Sequence, residues 1–183
     1  MSEGLNAATP GAHRPGPDNI FATQGGPLPI TAASEPALLA LNNAHAVELS
    51  LLDAARLSLL LRQALYARRV GDIEAFLLAL DETAVYDSPN YLWFRQRYQR
   101  FVYVDRVAVA AWARGRGHAR SLYADLFQRA IAAGHDTVLC EVNYAPPNPA
   151  SDALHAGLGF VEVGKAAIHG GMKTVRYFAR ALR

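Results

Sequence analysis

The sequence predicts an α/β protein whose mixed, mostly antiparallel sheet carries helices on both faces. The first observation is that segments with helical and strand-like apolar periods alternate along the chain. The second is their order, which is helices, a hairpin, two strand–helix units and two final strands, as is typical of a mixed sheet covered by helices. The 183 residues, 51% of them apolar, suffice for one domain with a sizeable core. We expect this domain at residues 30–183, behind a flexible Pro- and Gly-rich tail at residues 1–29.

The first half of the domain predicts two helices and a β-hairpin. A Ser-Glu-Pro start opens an apolar helical segment at residues 34–46, and Asp53 is suited to cap a second helix. Two apolar runs then flank Gly71 and Asp72, which predicts a hairpin. The polar and aromatic stretch at residues 86–100 follows. Its Ser-Pro-Asn cluster predicts a long loop of the kind that often carries function.

The second half alternates strands with helices and ends in two strands. Glycine or proline separates most neighbouring segments, as expected at turns and helix ends. The predicted elements are a strand at 101–110, a helix at 118–133, a strand at 137–144, a helix at 149–157 that Asn148 caps, and strands at 160–168 and 172–182.

The first strand and helix of this half are joined by Arg114-Gly115-Arg116-Gly117-His118-Ala119, a turn suited to hold a phosphate. Glycine lets the backbone approach a ligand and adopt positive φ. The first amides of the helix have no intrahelical partner, and the helix dipole favours an anion there. Arg114 and Arg116 add positive charge beside those amides.

Composition excludes several classes of protein. A net charge of +2 is too small to indicate a nucleic-acid binder. We expect no membrane span and no secretion, because no stretch approaches ~20 apolar residues and the N-terminus lacks an apolar signal core. The lone Cys140 excludes an internal disulfide and fits a reducing compartment, so we expect a cytoplasmic protein. No metal is expected, because the His and carboxylate residues lack metal-ligand spacing.

With these motifs in view, the second half resembles the GNAT superfamily of acyl-CoA-dependent N-acetyltransferases. The strand before the turn and the turn itself fit its strand and its R-x-x-G-x-G/A pyrophosphate turn. A second segment fits its N-x-x-A-x-x-F-Y-x-x-x-G-F pattern through Asn148, Ser151, Leu154, His155, Gly159 and Phe160. Three further stretches, at residues 86–91, 141–143 and 146–149, look like a bacterial subgroup of predicted acetyltransferases.

The resemblance implies direct acetyl transfer from acetyl-CoA to a primary amine of a small molecule or peptide, without a metal. It also implies that the two central strands splay apart, so that backbone amides near Val109 face the thioester carbonyl. The residues expected to bind the cofactor are Val107, Ala108, Val109, Arg114, Gly115, Arg116, Gly117, His118, Ala119, Asn143, Asn148 and Ser151.

The resemblance further implies a general base on one of the two central strands. Strand alternation places Asp105, Val107 and Val109 on one face. Superfamily bases often lie four or six residues before this last valine, where Asp105 and Tyr103 stand. Glu141 on the neighbouring strand and Asp87 in the loop are the alternatives. An ordinary Asp, with a pKa near ~3.9, is a poor base for an ammonium group and needs burial or a water relay. A salt bridge to an arginine is an equal alternative for Asp105.

His155 stands where the superfamily often has a tyrosine that acts as general acid. An imidazolium can donate a proton to the leaving thiolate, so the resemblance makes His155 the first candidate acid. A packed or hydrogen-bonded histidine is an equal alternative, and Tyr144 is the next candidate acid.

We expect the acceptor site between the first helices, the stretch at 86–100 and the final hairpin. Tyr86, Asp87, Tyr91 and Trp93 are the residues expected to bind the acceptor, and the alternative for the aromatic ones is a place in the core. The arginines of this stretch would suit an anionic acceptor, or they form a solvated face.

A different class of function is a non-catalytic acyl-CoA-binding module that senses or scaffolds, because a cofactor turn serves both. Turnover separates the two. A homodimer is plausible for a sheet protein of this kind, and no sequence feature proves it.

Overall fold

The computed structural model describes Met1 and residues 26–182. Most of the expected tail therefore lies outside the described residues. Its expected end at residue 29 is wrong, because Leu28 and Pro29 form a short strand that pairs with Arg69 and Arg68. The sheet therefore begins two residues before the predicted start of the domain.

Within the described residues, helices and strands follow one another in an order close to the predicted one. They are β1 (Leu28–Pro29), α1 (Glu35–Ala44), α2 (Ala46–Leu49), α3 (Ala54–Gln63), β2 (Tyr66–Val70), β3 (Ala75–Asp81), α4 (Pro89–Arg95), β4 (Val102–Val109), α5 (His118–Ala132), β5 (Thr137–Ala145), α6 (Pro149–Gly157), β6 (Val161–Ile168) and β7 (Lys173–Ala181).

The strands form one sheet in the order β1-β2-β3-β4-β5-β7-β6. Every neighbouring pair is antiparallel except β4 and β5, which are parallel. Their pairing covers three residue pairs and ends at Val104 and Cys140, although both strands continue beyond it. The predicted splay of the two central strands is therefore confirmed, and it opens a gap in the middle of the sheet.

Each face of the sheet is covered by a helical layer. On one face, Leu38 of α1, Leu57 of α3 and Phe94 of α4 belong to a core cluster with Phe76 and Tyr103 of the sheet. On the other face, the apolar side of α5 packs against the second cluster. That cluster includes Leu122, Leu126, Leu77, Val102 and Val104. Burial of these apolar side chains holds the layers together.

The stretch at 86–100 departs from the prediction, because it contains α4 rather than only a loop. Ser88 precedes the helix and Pro89 occupies its first turn, where a missing N–H costs nothing. Tyr91 and Phe94 are three residues apart on one side of α4, and both are fully buried. The aromatic side chains of this stretch therefore supply the buried side of a short helix.

Strand alternation also fails at one position of β4. Val104 pairs with Ala79, and Arg106 pairs with Leu78, the residue before Ala79. Asp105 has no partner between them and is therefore the extra residue of a β-bulge. After the bulge, Val107 packs with the α5 cluster, whereas Asp105 contacts Arg106 on the side of α1. The prediction that Asp105, Val107 and Val109 share one face is therefore wrong.

Candidate active site

A large cleft, with a volume of about 910 Å³, opens where β4 and β5 diverge. Its floor is formed by residues 104–109 of β4 and 140–143 of β5. One end reaches the start of α5, and the other lies under the 45–52 segment, the start of α4 and the turn between β6 and β7. A volume of this size lies at the upper end of the range for small-molecule sites.

The glycine-rich turn at 114–119 lines the first end of the cleft along its whole length. Gly115 and Gly117 have φ values of +77° and +80°, which side-chain-bearing residues rarely adopt. Gly117 is the N-cap of α5, so the unpaired first amides of that 15-residue helix lie at this end. The predicted residues of the turn are thus brought together around a helix start that favours an anion.

His118 is buried beside this turn, and its role differs from that of the glycines. It is 6% exposed, and its Nε2 lies 2.8 Å from Oε2 of Glu74 in the turn between β2 and β3. Glu74 also accepts the backbone N–H of Ala110 through its carbonyl. His118 therefore connects the start of α5 to the β2–β3 turn, although it also borders the cleft.

The other predicted cofactor residues also line the cleft. The backbone of Val107, Ala108 and Val109 lies beyond the last β4–β5 pair, where β5 no longer covers it. Asn143 is 6% exposed on the facing strand. Asn148 caps α6, because its Oδ1 accepts the backbone N–H of Ser151 at 3.1 Å.

Glu141 is the first residue of β5 beyond the last pair with β4. Its Oε1 accepts a hydrogen bond from Nδ2 of Asn90 at 2.9 Å, while its buried Oε2 has no hydrogen-bond partner among the described residues. Burial, followed by the negative charge of Asp105, raises the pKa of Glu141 to about 7, although Tyr103 and Asn90 favour its ionised form. Glu141 thus has a pKa near neutrality and one buried oxygen, Oε2, that accepts no hydrogen bond of normal geometry from the described residues, although the Tyr103 hydroxyl lies near enough to favour its charged form.

Asp105 is committed to an ion pair. Its Oδ2 accepts Nε of Arg106 at 2.6 Å, and both side chains are less than a tenth exposed. Nη1 of Arg106 also donates to Oδ1 of Asn42 at 2.8 Å and to the carbonyl of Leu49 at 3.1 Å. The alternative of a salt bridge to an arginine therefore describes Asp105, which borders the cleft as part of a buried network.

His155 is buried between two hydrogen-bond partners. Its Nδ1 lies 2.7 Å from the Ser151 carbonyl, which can only accept, so we infer that the ring proton is on Nδ1. Nε2 then accepts a hydrogen bond from the hydroxyl of Tyr123, whose oxygen lies 2.7 Å away. Burial lowers the pKa of His155 below its usual value, which favours the neutral ring. Both nitrogens are therefore occupied, an arrangement that disfavours His155 as a proton donor.

Tyr144, the second candidate acid, points away from the cleft. It is half-exposed, and the ammonium group of Lys165 lies 3.3 Å from its ring centre. It does not belong to the cleft lining.

The predicted acceptor residues divide into two groups. Tyr86 and Asp87 line the second end of the cleft, and Asp87 forms an ion pair with Arg56 that lowers the pKa of its carboxyl. Tyr91 and Trp93 do not reach it. Tyr91 is fully buried and donates to the carbonyl of Asp81 at 2.9 Å, and Trp93 stacks on Tyr177. The prediction that these two bind the acceptor is therefore wrong, because α4 directs them elsewhere.

The arginines of the same stretch also lie outside the cleft lining. Arg97 covers the Trp93 ring with its guanidinium 3.9 Å from the ring centre, and Arg100 donates to the carbonyl of Ala133. They are exposed, so the solvated-face interpretation applies to them.

Sequence reasoning placed the acceptor end beside the helices at 35–64, the stretch at 86–100 and the final hairpin, but it did not single out Asn90 or Lys173. Asn90 holds Glu141 and is itself held by the Tyr177 hydroxyl, which donates to its Oδ1 at 3.1 Å. The 45–52 segment and Lys173 line the acceptor end. The Ser88-Pro89 start was a signal for α4, but no local pattern connects Asn90 to a strand 51 residues later.

Three further observations concern the described part of the chain. None of its helices is long and apolar enough to cross a membrane. In residues 26–182, no group of three or more His, Cys, Asp or Glu side chains could hold a metal ion. Cys140 is buried, and burial raises the pKa of its thiol well above the usual range, as expected for a structural cysteine.

Comparison with known proteins finds a similarity to one family over part of the chain. Residues 90–160 match the model of the acetyltransferase (GNAT) family. No curated protein matches the sequence. Among solved structures, a ribosomal-protein-alanine N-acetyltransferase from Brucella melitensis is 24% identical, with 85% of this chain and 99% of that chain covered and a TM-score of 0.62.

Two other solved structures have a similar fold. The ribosomal-protein-S18-alanine N-acetyltransferase from Escherichia coli is 16% identical, with 85% of this chain and 92% of that chain covered and a TM-score of 0.60. A chain of the NatC complex bound to Gag peptide and CoA is 15% identical, with 86% of this chain and 98% of that chain covered and a TM-score of 0.67. At these identities the likeness shows the GNAT fold.

Proposed function

Since the chain has the GNAT fold and carries a GNAT acetyltransferase segment at residues 90–160, we propose that it transfers an acetyl group from acetyl-CoA to a primary amine. The observation that carries this proposal is the position of Glu141. It lies where the two central strands diverge, with a free carboxylate oxygen and a pKa of about 7. A group with these properties can accept a proton from an ammonium near neutral pH.

The turn at 114–119 is suited to the pyrophosphate of the cofactor. Two glycines with positive φ keep Cβ atoms off the ligand side, and Arg114 and Arg116 supply charge to an anion at the start of α5. Asn143, Asn148 and Ser151 follow along the cleft and would bind the pantetheine arm. The residues present therefore fit acetyl-CoA, and the NatC chain of similar fold was solved with CoA.

Glu141 is the base in this proposal, and Asp105 is not. The pKa of Glu141 is raised because water is excluded and because Asp105 lies nearby. Asp105 contributes through its negative charge, because its carboxylate is held in an ion pair by Arg106. Asn90 orients Glu141 by donating to Oε1, and in this proposal Oε2 is the oxygen that takes the proton of the amine.

The leaving thiolate also needs a proton. If His155 supplies this proton, two conditions must be met. Its Nε2 must give up the hydrogen bond with the Tyr123 hydroxyl and face the sulfur instead, and the buried ring must become protonated although burial lowers its pKa. The buried arrangement favours a positioning role, in which His155 ties α6 to α5 beside the cleft. Both roles are open to a mutational test, given in the Discussion.

The second candidate function is a non-catalytic acyl-CoA-binding module. The observation that favours it is the replacement of the usual tyrosine by a histidine whose two nitrogens are both occupied. Such a module would bind acetyl-CoA through the same turn without turnover.

The test is to measure free thiol release from acetyl-CoA with a broad panel of amines, with calorimetric binding of acetyl-CoA measured in parallel. Thiol release that depends on an amine, together with an acetylated product of matching mass, supports the transferase. Tight binding without turnover of any amine favours the non-catalytic module. Absence of binding contradicts both.

A further inference from the structure

The acceptor end of the cleft carries three cationic side chains outside the histidines, and two of them are already paired. Arg56 forms an ion pair with Asp87. Arg106 forms one with Asp105. Lys173, the first residue of β7, forms no salt bridge with any of the described residues.

Lys173 is not a solvated surface lysine. It is half-buried, and its Nζ donates to the carbonyl of Glu48 at 3.3 Å. An ammonium group can donate three hydrogen bonds, so two remain for other partners. Burial lowers its pKa, although the charges of Glu141 and Glu48 favour the protonated form. A partly desolvated cation with unused donors is costly unless an anion offsets its charge.

Lys173 also has a definite position relative to the proposed base. It belongs to β7, which pairs with β5, the strand that carries Glu141. Both side chains line the same cleft, and they are close enough for their charges to interact. The 45–52 segment contacts Lys173, because the carbonyl of Glu48 accepts a hydrogen bond from its Nζ. An acceptor whose amine lies at Glu141 can therefore place another of its groups near Lys173.

We propose that Lys173 binds an anionic group of the acceptor, a carboxylate or a phosphate, so that the acceptor is a small zwitterion whose amine lies at Glu141. This inference rests on the proposed acetyltransferase function and makes its acceptor more specific. The ammonium of such an acceptor faces the carboxylate of Glu141, and its anion faces the ammonium of Lys173. Both charges of the acceptor then have partners of opposite sign when water is excluded.

A competing explanation is that Lys173 only holds the 45–52 segment through the Glu48 carbonyl. In that case its loss would disturb every acceptor equally, because the segment covers the cleft regardless of the acceptor's charge. The two explanations therefore differ in how the effect depends on the acceptor and not in its size.

The experiment uses pairs of amines that differ in one anionic group. Suitable pairs are phenylalanine with phenethylamine, alanine with ethylamine, and O-phosphoethanolamine with ethanolamine. We would measure kcat/KM for each amine with the full-length protein and with Lys173→Met, Lys173→Arg and the matched control Lys165→Met. Lys165, the only other lysine of the chain, lies on β6 outside the cleft lining. Calorimetric binding of acetyl-CoA monitors folding and the cofactor site.

We expect the anionic member of at least one pair to be preferred by about tenfold or more in kcat/KM. Lys173→Met should abolish that preference through a higher KM while acetyl-CoA affinity stays unchanged, and Lys173→Arg should keep most of it. Lys165→Met should behave like the natural sequence. The carboxylate and phosphate pairs tell which anion is bound.

Three results would overturn the inference. In the first, the uncharged members are acetylated as well as or better than the anionic ones. In the second, Lys173→Met lowers kcat/KM equally for both members of a pair. In both cases the transferase proposal survives, because turnover is observed. A protein that binds acetyl-CoA but acetylates no amine contradicts the transferase proposal itself, and this inference with it.

Discussion

At the scale of single residues, the cleft separates two carboxylates that the sequence makes equivalent. Asp105 and Glu141 are each the first residue beyond the last β4–β5 pair. Arg106 holds the first in an ion pair, whereas the second faces a neutral amide from Asn90. Their environments therefore push them into different roles, one as a fixed charge and one as a titrating group.

Glu141→Gln tests the role of the titrating group. With the natural residue, we expect kcat/KM to rise with pH through about 7, because the base works only when it is deprotonated and its pKa is raised to about 7. The variant should lose this ascending limb and about a hundredfold or more of kcat/KM, the usual contribution of a general base. Steady-state kinetics from about pH 5.5 to about pH 9, a range on both sides of the pKa of such a group, would measure both effects.

Asp105→Asn is the matched control for that experiment. It removes the partner of a buried guanidinium, so we expect a loss of stability on the order of 3 kcal/mol in thermal or urea unfolding. The ascending limb should remain and move to lower pH, because the charge that helps to raise the pKa of Glu141 is gone. A variant that keeps its stability but loses the limb would assign the base to Asp105 instead.

His155→Phe distinguishes a proton donor from a positioning residue. If His155 only connects α6 to α5, the variant leaves the buried Tyr123 hydroxyl without a partner, and we expect it to lose about 1–3 kcal/mol of stability. In that case kcat should fall less than tenfold. The double variant with Tyr123→Phe should then recover part of the stability. A fall in kcat of a hundredfold at unchanged melting temperature would identify His155 as the acid.

At the scale of elements, helix starts and glycine turns were the most predictable parts. Asp53 and Asn148 cap α3 and α6 as predicted, and α5 begins at His118 after the glycine turn. These features depend on residues within one turn of each other, so a local sequence pattern contains them. The short helix α2 was not predicted, because four residues carry too little periodicity to be recognised.

The parts that could not be predicted depend on distant residues. The bulge at Asp105 exists because β3 and β4 pair with one residue out of step, and only the pairing reveals it. The same holds for Asn90, whose partner Glu141 belongs to another strand. The bulge decides the site, since it turns Asp105 toward Arg106 and leaves Glu141 as the free carboxylate.

Gly117→Ala tests the glycine turn at the start of α5. A side chain at φ +80° costs about 1–2 kcal/mol, and relief of this strain would move the amides that face the cofactor. We expect acetyl-CoA affinity, measured by calorimetry, to fall about tenfold. Gly159→Ala is the matched control, because Gly159 has φ +79°, open space around its Cβ position and no place in the cleft lining. Equal losses of affinity in the two variants would contradict a direct role of the turn.

At the scale of the whole molecule, the cleft divides the sheet into β1–β4 and β5–β7, joined by three residue pairs. A ligand that contacts both parts binds only the folded protein and therefore stabilises it. At a concentration about 100 times its Kd, acetyl-CoA should add about 2.7 kcal/mol, which corresponds to a rise in melting temperature of about 5 °C or more. Differential scanning calorimetry would measure it. An unchanged melting temperature at saturating acetyl-CoA would contradict a cofactor site between the two parts.

The short pairing of β4 and β5 also bears on hydrogen exchange. Beyond Val104 and Cys140, the facing backbone N–H and C=O groups of β4 and β5 no longer pair in the hydrogen-bond ladder of the sheet. An extended molecule lying in the gap can accept and donate those hydrogen bonds in place of a strand. The amides of residues 105–109 that face the gap should then exchange slowly only while the cleft is filled. Their exchange rates would report occupancy residue by residue, independently of any chemical step.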